Sequence, residues 1–438
     1  MRDEHDQRDA ASSSSQVRTV PQGLRDKNRA YPFLGVLRSS HDRLVAGVWD
    51  EIVLDYTVGE SGIADGARLK IAFKFYTDWA LFQTSDPTAA NYVSAEYSAG
   101  SLVPGQGPAT VQALKVSFDQ KGHERPFQKA LLIDIVDGYL NPGDRITIRL
   151  GDRRGGGSGT RVQTFEEKGF AFRAFVDPLG TSKFAPVPGD VRIDIVSGPP
   201  AALSIVTRRL AGAVEIAPVR IRAFDRWGNV CLGLNEDLEV SLTNSGGEAE
   251  ETQTYQFPKA AWAVVKFDVE TSGREGELQI TARIPALPNM TEARATLRID
   301  HTPATPRLWF ADLHVHSEDT VGINNTEYNL TYGRDVAGLD VLGYTANDFN
   351  ITEKNWNAAV DLIHCLHTDG EFVCFPGTEW CGNSCAGGDH NVIFLHGNKP
   401  EFPFDRAGNS TRSFEMVGCS HDLQRRHSLG KIVWLRAP

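Results

Sequence analysis

Long apolar runs are missing from this 438-residue sequence. No stretch approaches the ~18 apolar residues of a membrane helix. Residues 1–16 read MRDEHDQRDAASSSSQ and lack the ~7–15-residue apolar segment of a secretory signal. We therefore expect a cytoplasmic protein without a membrane partner, whose residues 1–30 form a disordered tail.

Clusters of basic residues are also missing, and the formal net charge is -11. An acidic surface repels phosphate backbones, so no nucleic-acid partner is expected. Cysteine is scarce, with six residues, and only Cys381 and Cys385 are closely spaced. A single CxxxC pair is a weak zinc signal. Free thiols are therefore expected, with a disulfide or metal binding at Cys381 and Cys385 as the alternative.

Glycine and proline are plentiful, with 41 and 22 residues, and indicate many turns. Leu69, Ile71 and Phe73 alternate with polar or small residues, as a half-buried strand requires. Short strands separated by turn signals predict a β-sandwich over 31–187 and an immunoglobulin-like β-sandwich over 190–300. The Pro-rich segment 184–189 is interpreted as the linker, and both sandwiches as scaffolding or substrate positioning.

The pattern changes in residues 307–438, where strands and helices alternate. This alternation predicts parallel β/α units and hence a multidomain β plus α/β protein. The predicted helices are Thr326–Val336 and Glu353–His367, and the predicted strands are Leu308–Ala311, Val341–Tyr344, Phe372–Phe375, Asn391–Leu395 and Lys431–Leu435.

The main chemical motif, Asp312-Leu-His314-Val-His316, directly follows the first of these strands. Residues two apart on a strand face the same way, so the three side chains are predicted to meet at one point. Carboxylate and neutral imidazole suit zinc, manganese or iron. Two histidines in a strand without a metal are the alternative interpretation.

Further polar groups lie at the boundaries of the later strands. Asp348 follows the second strand, Glu379 follows the third, and His390 precedes the fourth. The carboxyl ends of barrel strands carry the active site in β/α barrels. These positions therefore predict one site assembled from several strands.

Asp312–Ser317 resembles the first motif of the PHP family, the polymerase and histidinol phosphatase metal hydrolases. Phe375–Ser384 and Gly387–Phe394 resemble the PHP-like DUF3604 family. The resemblance implies a distorted β/α barrel with two or three divalent metal ions and phosphoester hydrolysis.

The resemblance also implies roles for single residues. His314 and His316 correspond to the first metal pair, Asp319 to a ligand on the following loop, Glu379 to the bridging carboxylate and His390 to a later ligand. Thr345-Ala-Asn347-Asp348 stands where the family has Thr-Asp-His, so either Asp348 or Asn347 substitutes for the histidine or that metal position is altered. Asp312 and Glu379 are assigned as catalytic.

Only five strands follow residue 307, whereas a closed barrel of this type has seven or eight. A partial, C-terminally truncated PHP-like barrel is therefore expected. Three functions remain open. The first is a metal-dependent phosphoesterase acting on a small-molecule or phosphoester substrate, and the second an inactive or accessory binding protein with an incomplete metal site. The third is a metal enzyme acting on a carbohydrate or another small polar substrate. The sequence does not indicate which oligomeric state the protein adopts.

Overall fold

A computed structural model describes residues 32–100, 107–247, 249–302, 308–348, 350–381, 389–394 and 432–436. The predicted tail, Cys385 and Cys419 lie outside these residues. Nearly half of the described residues are β-strand, arranged in several sheets, which confirms the expected β-rich multidomain fold. Within the described residues, no helix is long and apolar enough to cross a membrane.

The first sandwich contains two main sheets, in the orders β1-β4-β9-β6 and β2-β13-β11-β5-β8-β7, with β12 beside β11. Alternate residues of β4 are buried, and they enter a core shared by both sheets. After a 3₁₀ turn at Pro32–Leu34, its strands are β1 Gly35–Ser39, β2 Arg43–Val45, β3 Trp49–Asp50, β4 Ile52–Val58, β5 Arg68–Phe73, β6 Val93–Ser98, β7 Ala113–Asp119, β8 Lys129–Val136, β9 Arg145–Leu150, β10 Thr160–Arg161, β11 Glu167–Asp177, β12 Ala185–Pro186 and β13 Val191–Val196.

The first sandwich extends beyond the predicted boundary at residue 187. Both β12 and β13 pair with the long strand β11, with Phe175 opposite Pro186 and Phe172 opposite Val191. The Pro- and Gly-containing segment 184–189 therefore connects two strands within one sheet and is not an interdomain linker. Composition alone did not distinguish these two uses of proline and glycine.

The second sandwich packs a three-stranded sheet, β14-β16-β19, against a five-stranded sheet, β15-β21-β20-β17-β18. On β16, Ala217, Val219, Ile221 and Ala223 are buried and their neighbours are not, as the alternation of a half-buried strand predicts. The strands are β14 Ala202–Thr207, β15 Leu210–Ala211, β16 Ile216–Phe224, β17 Asp237–Thr243, β18 Ala249–Gln256, β19 Val264–Glu270, β20 Gly276–Arg283 and β21 Ala293–Ile299.

The described part of the C-terminal unit contains two sheets, two α-helices and a π-helical turn. Its elements are β22 Ala311–Val315, α1 Thr326–Thr331, a π-helical turn Tyr332–Ala337, β23 Val341–Tyr344, β24 Ala346–Asn347, α2 Glu353–Leu366, β25 Val373–Phe375, β26 Gly377–Trp380, β27 His390–Phe394 and β28 Ile432–Arg436. The sheet β22-β23-β25 is parallel throughout. In the sheet β24-β26-β27-β28 only the first pair is parallel, so the prediction of parallel strands fails for β27 and β28.

The predicted buried strand Leu308–Ala311 is displaced along the chain. Leu308, Trp309 and Phe310 are 68%, 48% and 46% exposed, and the strand runs from Ala311 to Val315. The shift arises because the partner strand β23 begins only at Val341, opposite Ala311. Three apolar residues in a row indicate a strand but do not fix where its pairing starts.

All three units meet at α1. The Tyr328 hydroxyl donates to Glu166 Oε2 of the first sandwich at 3.4 Å. Its ring contacts Trp262 of the second sandwich edge-to-face, with centroids 5.2 Å apart. Lys266 of the second sandwich pairs with Asp335 at 2.6 Å, next to α1. Glu166 therefore lies at a junction that excludes much of the solvent.

Replacing Glu166 with Gln should stabilise the protein at neutral pH but not at pH 4. Burial raises the pKa of Glu166 from its ordinary 4.5 to about 6. The folded state therefore holds the proton more tightly, and stability falls as pH rises from 4.5 to 6 and stays lower above. A pKa shift of this size corresponds to about 2 kcal/mol in the free energy of unfolding. Urea unfolding at pH 4 and pH 7.5 tests this, and an equal effect of the variant at both values would contradict it.

Candidate metal centre

Three metal-binding side chains converge where β22 and β26 lie near each other. His314 belongs to β22, His316 follows its end, and Glu379 lies on β26. The two Nε2 atoms of the histidines are 3.0 Å apart. Glu379 Oε2 is 3.2 Å from His316 Nε2, and its Oε1 is 3.9 Å from His314 Nε2. These residues form one group whose ligand atoms all lie within 4.8 Å of one another.

The donor set fits a divalent metal. Ligands about 2.0–2.2 Å from a tetrahedral ion lie roughly 3.3 Å from each other, close to the separations observed. Imidazole nitrogen and carboxylate oxygen are also the donors that zinc and similar transition metals prefer. His316 Nδ1 is buried, and no described residue forms a hydrogen bond with it.

Asn391 on β27 orients the His314 ring. The amide nitrogen of Asn391 donates to the carbonyl oxygen of Leu313 at 3.1 Å, so its oxygen faces His314 Nδ1 at 3.0 Å. An oxygen acceptor at this position requires the proton on Nδ1. The lone pair is then on Nε2, which points towards His316 and Glu379. Such support of a histidine by an amide or carboxylate is typical of metal sites.

Glu379 is buried and remains ionised. Its hydrogen bond with His316 holds the pKa of Glu379 below its usual range, despite the opposing effect of burial. Asn347 on β24 donates its amide hydrogen to Glu379 Oε2. The same amide nitrogen contacts Cys381 Sγ at 3.3 Å. Asn347 therefore contacts both the Glu379 carboxylate and the Cys381 thiol, which lies two residues further along the chain.

A second group of ligand atoms shares Glu379 with the first and adds Cys381 and Asp389. Burial raises the pKa of Cys381 to about 12, so without a cation the thiol keeps its proton. Cys381 is a free thiol, as are Cys231, Cys365 and Cys374. The two overlapping groups offer five side chains for cation binding.

The other sequence-predicted site residues take different positions. Asp312 is exposed, and its Oδ1 accepts the backbone N–H of His314 at 3.0 Å. Asp319 Oδ2 accepts hydroxyls from Thr326 at 2.6 Å and Tyr344 at 3.1 Å. Asp319 therefore supports the loop after β22, outside the group around His314.

Asp348 and His390 also lie outside the group around His314. Asp348 is buried, and its Oδ1 accepts the backbone N–H of Cys381 at 3.2 Å. His390 stacks on Trp380, with ring centroids 5.6 Å apart. Asp348 thus stabilises the turn after Glu379. The second group of ligand atoms contains the carboxylate of Asp389, the residue before His390, and not the His390 ring.

The loop after His316 is held by the first sandwich. Tyr76 donates its hydroxyl to the Gly322 carbonyl at 3.2 Å, and Lys74 Nζ lies 3.5 Å from the Ile323 carbonyl. Gly322 packs against the His316 backbone, where an added Cβ would lie 2.7 Å from the carbonyl carbon. The position of His316 therefore depends on a residue without a side chain.

Replacing Gly322 with Ala should displace His316 and weaken the site. Overpacking of this kind costs about 1–3 kcal/mol, and here the strain falls on the backbone of a candidate ligand. Zinc titration with a competing chromophoric chelator should show weaker binding than in the parent. Gly107→Ala is a control for a glycine substitution, since no atom lies within 4 Å of its added Cβ and its φ is not positive. Unchanged zinc affinity in the Gly322 variant would contradict the described packing.

Comparisons with known proteins found solved structures of low similarity to this chain. No family model and no curated protein matches it. The similar solved structures include FdeC, an Escherichia coli adhesin, at 12% identity over 62% of this chain and 66% of that chain, with a TM-score of 0.24. The Yersinia pseudotuberculosis adhesin InvE is 9% identical over 62% of this chain and 60% of that chain, with a TM-score of 0.20.

A shorter similar structure is the CARDB domain of the PF1109 protein from Pyrococcus furiosus, solved in complex with di-metal ions. It is 16% identical over 23% of this chain and 86% of that chain, with a TM-score of 0.17. Similarity at this level carries no functional argument.

Proposed function

We propose that this chain is a metal-dependent hydrolase that cleaves phosphoesters with a metal-activated water. The observation that carries the proposal is the convergence of His314, His316 and Glu379, with Asn391 directing the lone pair of His314 into the same space. Two histidines and a carboxylate that leave a coordination position open are typical of catalytic metal sites.

A metal bound by these residues would lower the pKa of a bound water and stabilise the charge that develops on a phosphoryl oxygen. The protein supplies the positioning. Asn391 fixes the tautomer of His314, and Asn347 holds the orientation of Glu379. Because Glu379 is ionised when folded, it needs no proton loss before it binds a cation.

The sequence resemblance to the PHP and DUF3604 families supports the same chemistry. It implies two or three metal ions, and the second group around Glu379, with Cys381 and Asp389, is where a further ion would bind. The parallel sheet β22-β23-β25 supports membership of a β/α class. The proposal therefore includes a partial PHP-like barrel, with zinc, manganese or iron as the resident metal.

Elemental analysis of the purified chain tests the proposal. We expect at least one equivalent of zinc, manganese or iron in the parent and its loss in a His314→Ala/His316→Ala double variant. His364→Ala is the matched control, because His364 lies exposed on α2 and outside both groups. Less than about half an equivalent in the parent would overturn the proposal and favour an accessory binding protein.

Activity assays then separate the two enzymatic functions. The metal-loaded parent should hydrolyse bis(p-nitrophenyl) phosphate, and the double variant should not. Cleavage of p-nitrophenyl glycosides without phosphodiester cleavage would instead indicate a metal enzyme acting on carbohydrate.

A further inference from the structure

The first sandwich contains a cavity of about 520 Å³ that lies outside the metal centre. Residues of β5, β11 and two loops line it. Four of the lining side chains are cationic and one is acidic: Lys70, Arg125, Arg173 and Lys183 against Glu124. The wall therefore has a formal charge of +3 (four minus one), in a chain whose net charge is -11. Such a local excess attracts anions against the field of the whole protein.

Lys70 is the most buried of these cations, at 8% exposed. Its ammonium donates to the Gly122 carbonyl at 3.0 Å and lies 4.1 Å from the ring centre of Phe184. Among the described residues, no carboxylate forms an ion pair with it. Burial lowers the pKa of Lys70, and Asp119 and Glu124 only partly oppose the shift. A buried charge without a carboxylate partner costs free energy that a bound anion would offset.

Aromatic rings hold the arginines at this cavity. The Arg173 guanidinium lies 4.7 Å from the ring centre of Phe127 and 5.7 Å from that of Phe175, and it contacts Asp190 at 3.3 Å. Arg125 lies 4.9 Å from the ring centre of Phe75. Stacking restricts the guanidinium planes and leaves edge N–H groups for a ligand. Little conformational entropy remains to be lost when an anion binds.

We propose that this cavity binds a monosaccharide-sized organic anion that bears a phosphate or carboxylate group. The volume lies within the roughly 300–1,000 Å³ of small-ligand sites. Lys70, Arg125 and Arg173 would bind the oxyanion. Pro126, Phe127 and Phe184 supply an apolar wall for the body of the ligand. The site is separate from the metal centre and does not depend on the proposed hydrolase activity.

Isothermal titration calorimetry of the full chain with glucose 6-phosphate, glucuronate and glucose tests this site. The His314→Ala/His316→Ala variant is the background, so that phosphate binding to a metal does not contribute. We expect one equivalent of at least one anion to bind and neutral glucose not to bind. Glucose 6-phosphate binding identifies the phosphate class, and glucuronate binding the carboxylate class.

Variants then locate the binding. Lys70→Met keeps the apolar stem over Phe184 and removes the charge, and Arg125→Gln removes a second charge at an exposed position. Each should weaken binding about tenfold or more. Lys115→Met, on the exposed face of β7 outside the cavity, should leave it unchanged. The proposal would be overturned if neither anion bound at about 10 mM. It would also be overturned if Arg125→Gln left the affinity of the His314→Ala/His316→Ala background unchanged.

Discussion

Replacing Asn391 with Leu should lower the zinc affinity of the site at His314 by about ten- to hundredfold. The substitution removes the oxygen that accepts the His314 Nδ1–H at 3.0 Å, so the ring is free to rotate or change tautomer. Either change turns the Nε2 lone pair away from His316 and Glu379. Competition with a chromophoric zinc chelator measures the affinity directly, and this prediction rests on the proposed metal site.

Asn391→Asp is the matched control. A carboxylate still accepts the Nδ1–H of His314 but no longer donates to the Leu313 carbonyl. We therefore expect it to retain most of the zinc affinity while losing some stability, because the Leu313 carbonyl loses this part-buried hydrogen bond. Equal loss of affinity in both variants would show that Asn391 acts through packing and not by orienting His314.

Replacing Trp356 with Ala should destabilise the C-terminal unit by about 3–5 kcal/mol. Trp356 is fully buried on the face of α2 that also buries Ala359, Val360 and Ile363. Its ring contacts Phe394 of β27 edge-to-face, with centroids 5.9 Å apart. The substitution leaves a large cavity between the helix and the strand that carries Asn391. Differential scanning calorimetry should show a clear drop in the first unfolding transition.

Asn357→Ala on the same helix is the control for helix propensity. Asn357 is exposed, and alanine favours helix slightly more than asparagine does. The free energy of unfolding of the variant should therefore change by less than about 0.5 kcal/mol. A Trp356 variant that loses less than about 1 kcal/mol would mean that α2 does not pack on β27 as described.

The sequence predicted strands best where alternation is strict. Leu69 and Ile71 lie on β5, and Val219 and Ile221 on β16, as their spacing indicated. Boundaries were harder to predict. The strand expected at Leu308 starts at Ala311, because pairing with β23 and not hydrophobicity sets its first residue.

The sequence also predicted that His314, His316 and Glu379 lie close together, since all three are at or near the ends of strands. It did not indicate how the other carboxylates are used. Asp319 accepts hydroxyls from α1 and β23, an arrangement that depends on contacts between separate elements. Asp312 instead accepts the backbone N–H of His314, two residues further along the chain.

Asn391 is the residue that sequence reasoning missed. It lies one position after His390, but its role depends on antiparallel pairing of β27 with β26, which places it opposite Glu379. An isolated asparagine carries no signal for such a role. The signal available was its position at the start of an apolar strand, where a buried polar side chain requires a partner.

The loop that follows His316 is anchored to the first sandwich through the main-chain oxygens of Gly322 and Ile323. Tyr76 and Lys74 therefore contact the main chain of the loop and not its side chains. A change at Ile323 leaves its carbonyl oxygen in place for Lys74. Evolution can therefore vary the chemistry of residue 323 while the same sandwich continues to hold the loop beside the histidines.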